Sequence, residues 1–177
     1  MVDAGHGPNT AGKRSPDGTL REFMFNAGVA NKLEKLLSTE GYSVIFSHDK
    51  SRDVGLSERI SLANTLEVDA FVSIHANAFG NTWKEAHGIE TYTCLQPSET
   101  SVKMAICVQQ ALLLRTGGKN RGVKKGDFAV LRETKMPAIL VECGFMTNIK
   151  EAKLLKSSAY QHQCAQAITF GLLCSLK

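Results

Sequence analysis

Two nearly uninterrupted apolar runs, AFVSIH at 70–75 and AILVE at 138–142, each end on an ionisable side chain. Runs this short and this apolar are the mark of strands buried on both faces, which occur where helices cover a sheet from either side. Longer segments of helical period lie between the apolar runs. Phe23, Ala27, Ala30, Leu33 and Leu37 recur at three and four residues, ahead of Gly41 as a stop. This alternation predicts a single α/β domain over residues 1–177, with a central mixed, mostly parallel sheet of about six strands flanked by helices on both faces.

The remaining elements follow from local signals. Strands are expected at Val2–Ala4, Ser43–Ser47, Gly88–Cys94 and Phe128–Leu131. Helices are expected at Leu56–Leu66, from a Ser98 cap to about Thr116 before the Gly117–Gly118 stop, near Ile149–Lys156, and at Ala159–Cys174. No repeat or low-complexity linker interrupts the pattern.

At 177 residues and 43% hydrophobic, the chain is long enough for one substantial core. No stretch approaches the roughly 20 apolar residues of a membrane helix, and MVDAGHGPN lacks the apolar core of a signal peptide. A soluble chain without an export signal is expected. The five cysteines are widely spaced and outside CxxC pairs, so they read as buried thiols. The formal charge of +4 is concentrated between Arg115 and Arg132. It implies a weak attraction to anionic polymers, but no nucleic-acid-binding motif accompanies it.

Chemistry is expected beyond the carboxyl ends of the strands, where α/β sheets build their sites. His6 follows a strand stub in AGHGPN, and His75 ends a strand in SIHAN. Either alone would ordinarily be structural. Glu22 opens the first long helix, where a carboxylate can simply complement the helix dipole or can act as a third metal ligand. Two imidazoles and a carboxylate form an open zinc site with a fourth position for water, a set that hydrolyses amides. Glu142 follows four apolar residues, a costly position unless it is paired or functional, and is the candidate for general base and acid.

DAGHG, Glu22, LSERISLAN, FVSIHANA, HGIETY, FAVLRETKMPAILVECGFMTN and the closing helix together resemble the zinc-dependent N-acetylmuramoyl-L-alanine amidases of the Amidase_3 type, over nearly the whole chain. The resemblance implies that His6, Glu22 and His75 bind Zn2+, that Glu142 is the catalytic carboxylate, and that the substrate is peptidoglycan. The bond cut would join N-acetylmuramic acid to L-alanine of the stem peptide. It further implies a monomer acting on the bacterial wall without nucleic acid or membrane. The setting would be that of an endolysin released at lysis, or of the excised domain of a secreted autolysin.

Several positions are read more simply. Asp3 and Asn77 are candidates to orient the histidines. Arg59, a helix arginine beside Glu58, is read as a member of a structural ion pair, and GFMTN is expected to wall the substrate groove. His48 stands where similar enzymes often have Arg and is expected at the surface, while His87 and His162 read as structural. The interval 78–87 is too short for a blocking helix, which predicts an open site. Three rivals remain: a zinc carboxypeptidase or endopeptidase with the same site, a wall-binding module without catalysis, and a nucleic-acid binder.

Overall fold

The computed structural model describes residues 1–10 and 14–176. Its elements, in chain order, are β1 (Val2–Ala4), α1 (Glu22–Thr39), α2 (Leu56–Thr65), β2 (Phe71–Asn77), β3 (Ile89–Thr93), α3 (Glu99–Thr116), β4 (Asn120–Lys125), α4 (Ala129–Arg132), β5 (Ala138–Phe145), α5 (Ile149–Lys156) and α6 (Ser158–Ser175). The strands form one sheet in the order β1-β2-β5-β3-β4. β1, β2 and β5 run parallel, β3 is antiparallel to β5, and β4 is parallel to β3.

The two apolar runs are the central strands β2 and β5, which explains why both read as continuous. Alternate side chains of these strands feed two cores. Val72, Ile74, Ile139 and Val141 join Phe25, Leu33, Met104, Leu112 and Ile168 beneath α1, α3 and α6. Phe71, Ala138 and Leu140 meet Ile60, Val130 and Leu131 from α2 and α4 on the other face. Each fully buried Leu, Ile or Phe contributes about 1.5–3 kcal/mol.

Helix boundaries follow their caps. Ser98 Oγ accepts the backbone N–H of Ser101 at 3.1 Å, and Gly117 closes α3 with φ 67°, a left-handed conformation that glycine adopts without strain.

Four expectations are corrected. The sheet has five strands among the described residues rather than about six. Segment 43–47 runs beside β1 as a single bridge, Val2 to Phe46, with Val2 N–H donating to Ile45 and Ser47 N–H to Val2. The ladder stops because the next donor, Ala4 N–H, bonds the His48 ring instead. Phe128–Leu131 is the extended cap and first residues of α4, since FAVL buries Val130 and Leu131 equally well from one helical turn. Among the thiols, Cys143 and Cys164 are buried but Cys174 is exposed; all five are free. No described helix is long and apolar enough to cross a membrane.

Candidate metal centre

β1, β2 and β5 run parallel toward one edge of the sheet, where His6 just past β1 meets His75 and Glu142, which lie within β2 and β5 rather than at their ends as the apolar runs suggested. His6 sits at φ 64° just past β1. Gly5 lies so close to the His75 ring that a Cβ there would come within 2.1 Å of it. The absence of a side chain at residue 5 is therefore what lets the two imidazoles meet, and they do so edge to face at 5.2 Å.

Glu22, the first residue of α1, joins them. Its Oε2 is 3.0 Å from His6 Nε2 and its Oε1 is 2.8 Å from His75 Nδ1. Asn26, one turn along α1, donates to Oε1 at 3.4 Å and to the Gly5 carbonyl at 3.0 Å. Burial would raise the Glu22 carboxyl, but bonds to His6 and His75 outweigh it and hold the carboxyl well below the ordinary value. His75 shows the converse, since burial lowers it while the Glu22 contact wins and raises it.

A second chain of bonds orients His75 from behind. Ser73 Oγ donates to Asp3 Oδ2 and lies 3.1 Å from His75 Nε2. Because the hydroxyl hydrogen is spent on Asp3, Oγ accepts from Nε2–H. That directs Nδ1 at Glu22, where a bare lone pair would face a carboxylate, so a cation must lie between them.

The donor set accordingly suits a metal ion. The three ligand atoms lie within 4.8 Å of one another, and tetrahedral zinc needs donors about 3.4 Å apart. Side-chain exposure is 23% for His6, 15% for His75 and 4% for Glu22, so the cluster is supported from the protein side and open on the His6 side.

Glu142 is the register partner of His75 across the parallel β2–β5 pair, so both point to the face covered by α2 and α4. A cavity of about 270 Å³ is lined by His6, Glu22, His75 and Glu142, with Leu56 and Phe128 on its walls. The fold thus brings together all four residues singled out in the sequence.

The supporting residues differ from expectation in informative ways. Arg59 is a structural ion-pair member, as expected, but its partner is Asp3 across the fold, while Glu58 binds Arg52. Only 2% exposed, Arg59 donates to Asp3 Oδ1 at 2.5 Å, the Ala4 carbonyl at 2.7 Å, the Val54 carbonyl at 3.0 Å and the His6 carbonyl. Asp3 orients His75 through Ser73, as anticipated in kind. Asn77 instead donates to Glu90 at 2.7 Å. His48 is buried, accepting Ala4 N–H at 3.1 Å and packed against Phe23 and Phe46, which corrects its expected surface position.

GFMTN does not wall the cavity. Phe145 and Met146 are buried, while Thr147 accepts Phe79 N–H through Oγ1 and Lys84 N–H through its carbonyl. The 78–88 loop is pinned in this way, and no helix forms between β2 and β3. Glu90, only 2% exposed in β3, is the residue that sequence reasoning missed. Its signal was a charge within HGIETY at a strand position facing the site.

Fold and cluster together define an α/β domain with a two-histidine, one-glutamate site of metal-binding geometry at the carboxyl edge of its sheet. Comparison with known proteins narrows this class. The family profile Amidase_3, described as N-acetylmuramoyl-L-alanine amidase, matches residues 1–174, and the chain belongs to that family. It is 35% identical to the N-acetylmuramoyl-L-alanine amidase LytC of Bacillus subtilis over 97% of this chain and 34% of LytC. It is 34% identical to YqiI of the same organism over 97% of this chain and 81% of YqiI. The chain thus spans about a third of LytC but most of YqiI. Among solved structures, AmiC2 of Nostoc punctiforme, an N-acetylmuramoyl-L-alanine amidase, matches with a TM-score of 0.90 and 34% identity over 98% of this chain and 94% of that one. The catalytic domain of CwlV from Paenibacillus polymyxa matches at 0.88 and 33%, over 96% and 93%.

Proposed function

We propose that this chain is a zinc-dependent peptidoglycan hydrolase that cleaves the amide between N-acetylmuramic acid and L-alanine of the stem peptide. One observation carries the reading: the His6–Glu22–His75 cluster stands beside Glu142 in one open cavity of an Amidase_3 fold. His6 Nε2, Glu22 and His75 Nδ1 would hold the metal. Bound zinc supplies an acidified water and a Lewis acid for the amide carbonyl. Glu142 takes the water's proton on its carboxylate and returns it to the departing nitrogen. Asp3, Ser73 and Asn26 keep the ligands in register, while Leu56 and Phe128 exclude water around the bond. Residues 1–177 act in this reading as one catalytic domain, monomeric, at the bacterial wall.

The same four groups would suit other amides, so the bond released is the deciding measurement. Zinc-loaded protein should free new L-alanine amino groups from purified wall, create no other peptide termini, lose activity to a chelator and regain it with zinc. Activity is expected without any second protein, because the pinned 78–88 loop leaves the cavity open. New termini at cross-links would favour an endopeptidase instead. Binding of wall without its digestion would favour a wall-binding module.

A further inference from the structure

The fold divides the basic stretch between Arg115 and Arg132. Arg132 is neutralised by Asp127 and Glu133, and Arg115 turns to Gln166 of α6 on the opposite face. Arg121 and Lys124 instead converge on the site face, at Glu90. Glu90 is the register partner of Glu142 in the antiparallel β3–β5 pair, so the two carboxylates lie side by side on that face. Glu90 accepts from Arg121 Nε at 2.7 Å, Lys124 Nζ at 2.5 Å, Asn77 Nδ2 at 2.7 Å and Tyr92 Oη at 2.9 Å.

One buried carboxylate therefore fixes two cations beside the site. Both cations retain donors. The guanidinium lies over the Phe145 ring at 4.8 Å, and Arg121 Nη2 and two of the three Lys124 ammonium hydrogens have no acceptor among the described residues. Side-chain exposure is 30% for Arg121 and 35% for Lys124, so both side chains are partly open to solvent.

We propose that Arg121 and Lys124 form a carboxylate-binding subsite that recognises an acidic residue of the stem peptide two or three residues beyond the bond cut. The assignment rests on the amidase reading above. From His75 on β2 across β5 to Glu90 on β3, where both cations are held, is two strand spacings, about 10 Å. Extended peptide advances about 3.4 Å per residue, so a carboxylate at that span belongs to the second or third stem residue. Arginine with remaining N–H groups and a neighbouring ammonium suits a carboxylate, and Glu90 fixes both before substrate arrives. Glu90 itself then acts as a positioning residue.

The test compares two defined muropeptides that differ only in whether the stem carboxylate at the second residue is free or amidated, using zinc-loaded full chain. The readout is the ratio of their kcat/KM values. Wild type should favour the free acid about tenfold or more, Arg121→Gln and Lys124→Gln should each move the ratio toward one, and Arg121→Lys and Lys124→Arg should keep most of it. A purely structural role would lower both rates by one factor and leave the ratio unchanged, which overturns the assignment. A wild-type ratio of one, repeated with the carboxylate amidated at the third residue, overturns it whether or not any variant folds. Inactivity of zinc-loaded wild type on every muropeptide overturns the amidase reading and this subsite together, a result distinct from activity without discrimination.

Discussion

At the scale of single residues, the proposed ligands and the proposed proton carrier come from different elements around one cavity. His75 is held from three sides, by Glu22, by Ser73 and by the bare backbone of Gly5, and Glu142, within β5, lines the same cavity. Glu142→Gln should therefore retain fold and zinc while losing about 10² to 10⁴ in turnover, since the near-isosteric amide accepts no proton. His75→Ala should lose zinc as well as activity. Metal content measured beside turnover separates the two, and near-normal turnover of the glutamine variant would reassign the base. His6, Glu22, His75 and Glu142 were legible in sequence because each is an ionisable group at a glycine turn, helix start or the end of an apolar run. Asp3–Arg59 and Glu90 were not, because their meaning depends on partners 56 and 31 residues away.

At the scale of elements, β1 is three residues long and draws much of its hold from side chains. Asp3 is buried, and although burial would raise its carboxyl, Arg59 and the Ser47 and Ser73 hydroxyls hold it below the ordinary value. His48, which takes Ala4 N–H, is lowered chiefly by burial, with Asp3 opposing. A depressed folded value means that stabilisation is complete above the unfolded pKa and declines as pH falls through it. His48 should thus begin to cost stability below about pH 6.5, and Asp3 below about pH 4. Urea unfolding across this range should show the first decline missing from His48→Gln and the second from Asp3→Asn; parallel curves for wild type and both variants would refute the clamp.

The elements missed in sequence carry weak local signals. β4, NRGVKK, is an exposed edge strand without apolar alternation, and α4 is a single turn whose FAVL fits either period. The long helices were legible because their burial and caps are local, as Ser98 and Gly117 are for α3.

At the scale of the molecule, α2 supplies none of the side chains of the metal cluster, yet its Arg59 grips the carbonyls of Ala4 and His6 and the carboxylate of Asp3. The loop carrying His6 and the docking of α2 form one cooperative unit, so neither opens alone. Arg59→Met would leave Asp3 buried without its cation, a loss of about 3–5 kcal/mol. Hydrogen exchange in this variant should quicken together at Ala4, Gly5 and the interior of α2 while α3 and α6 stay protected; acceleration confined to α2 would break the link. On the proposed reading zinc would bind only the closed form, so it should slow exchange in a helix that supplies none of its ligands, in proportion to the logarithm of its concentration. Metal supply would then set how long this edge of the protein survives a protease.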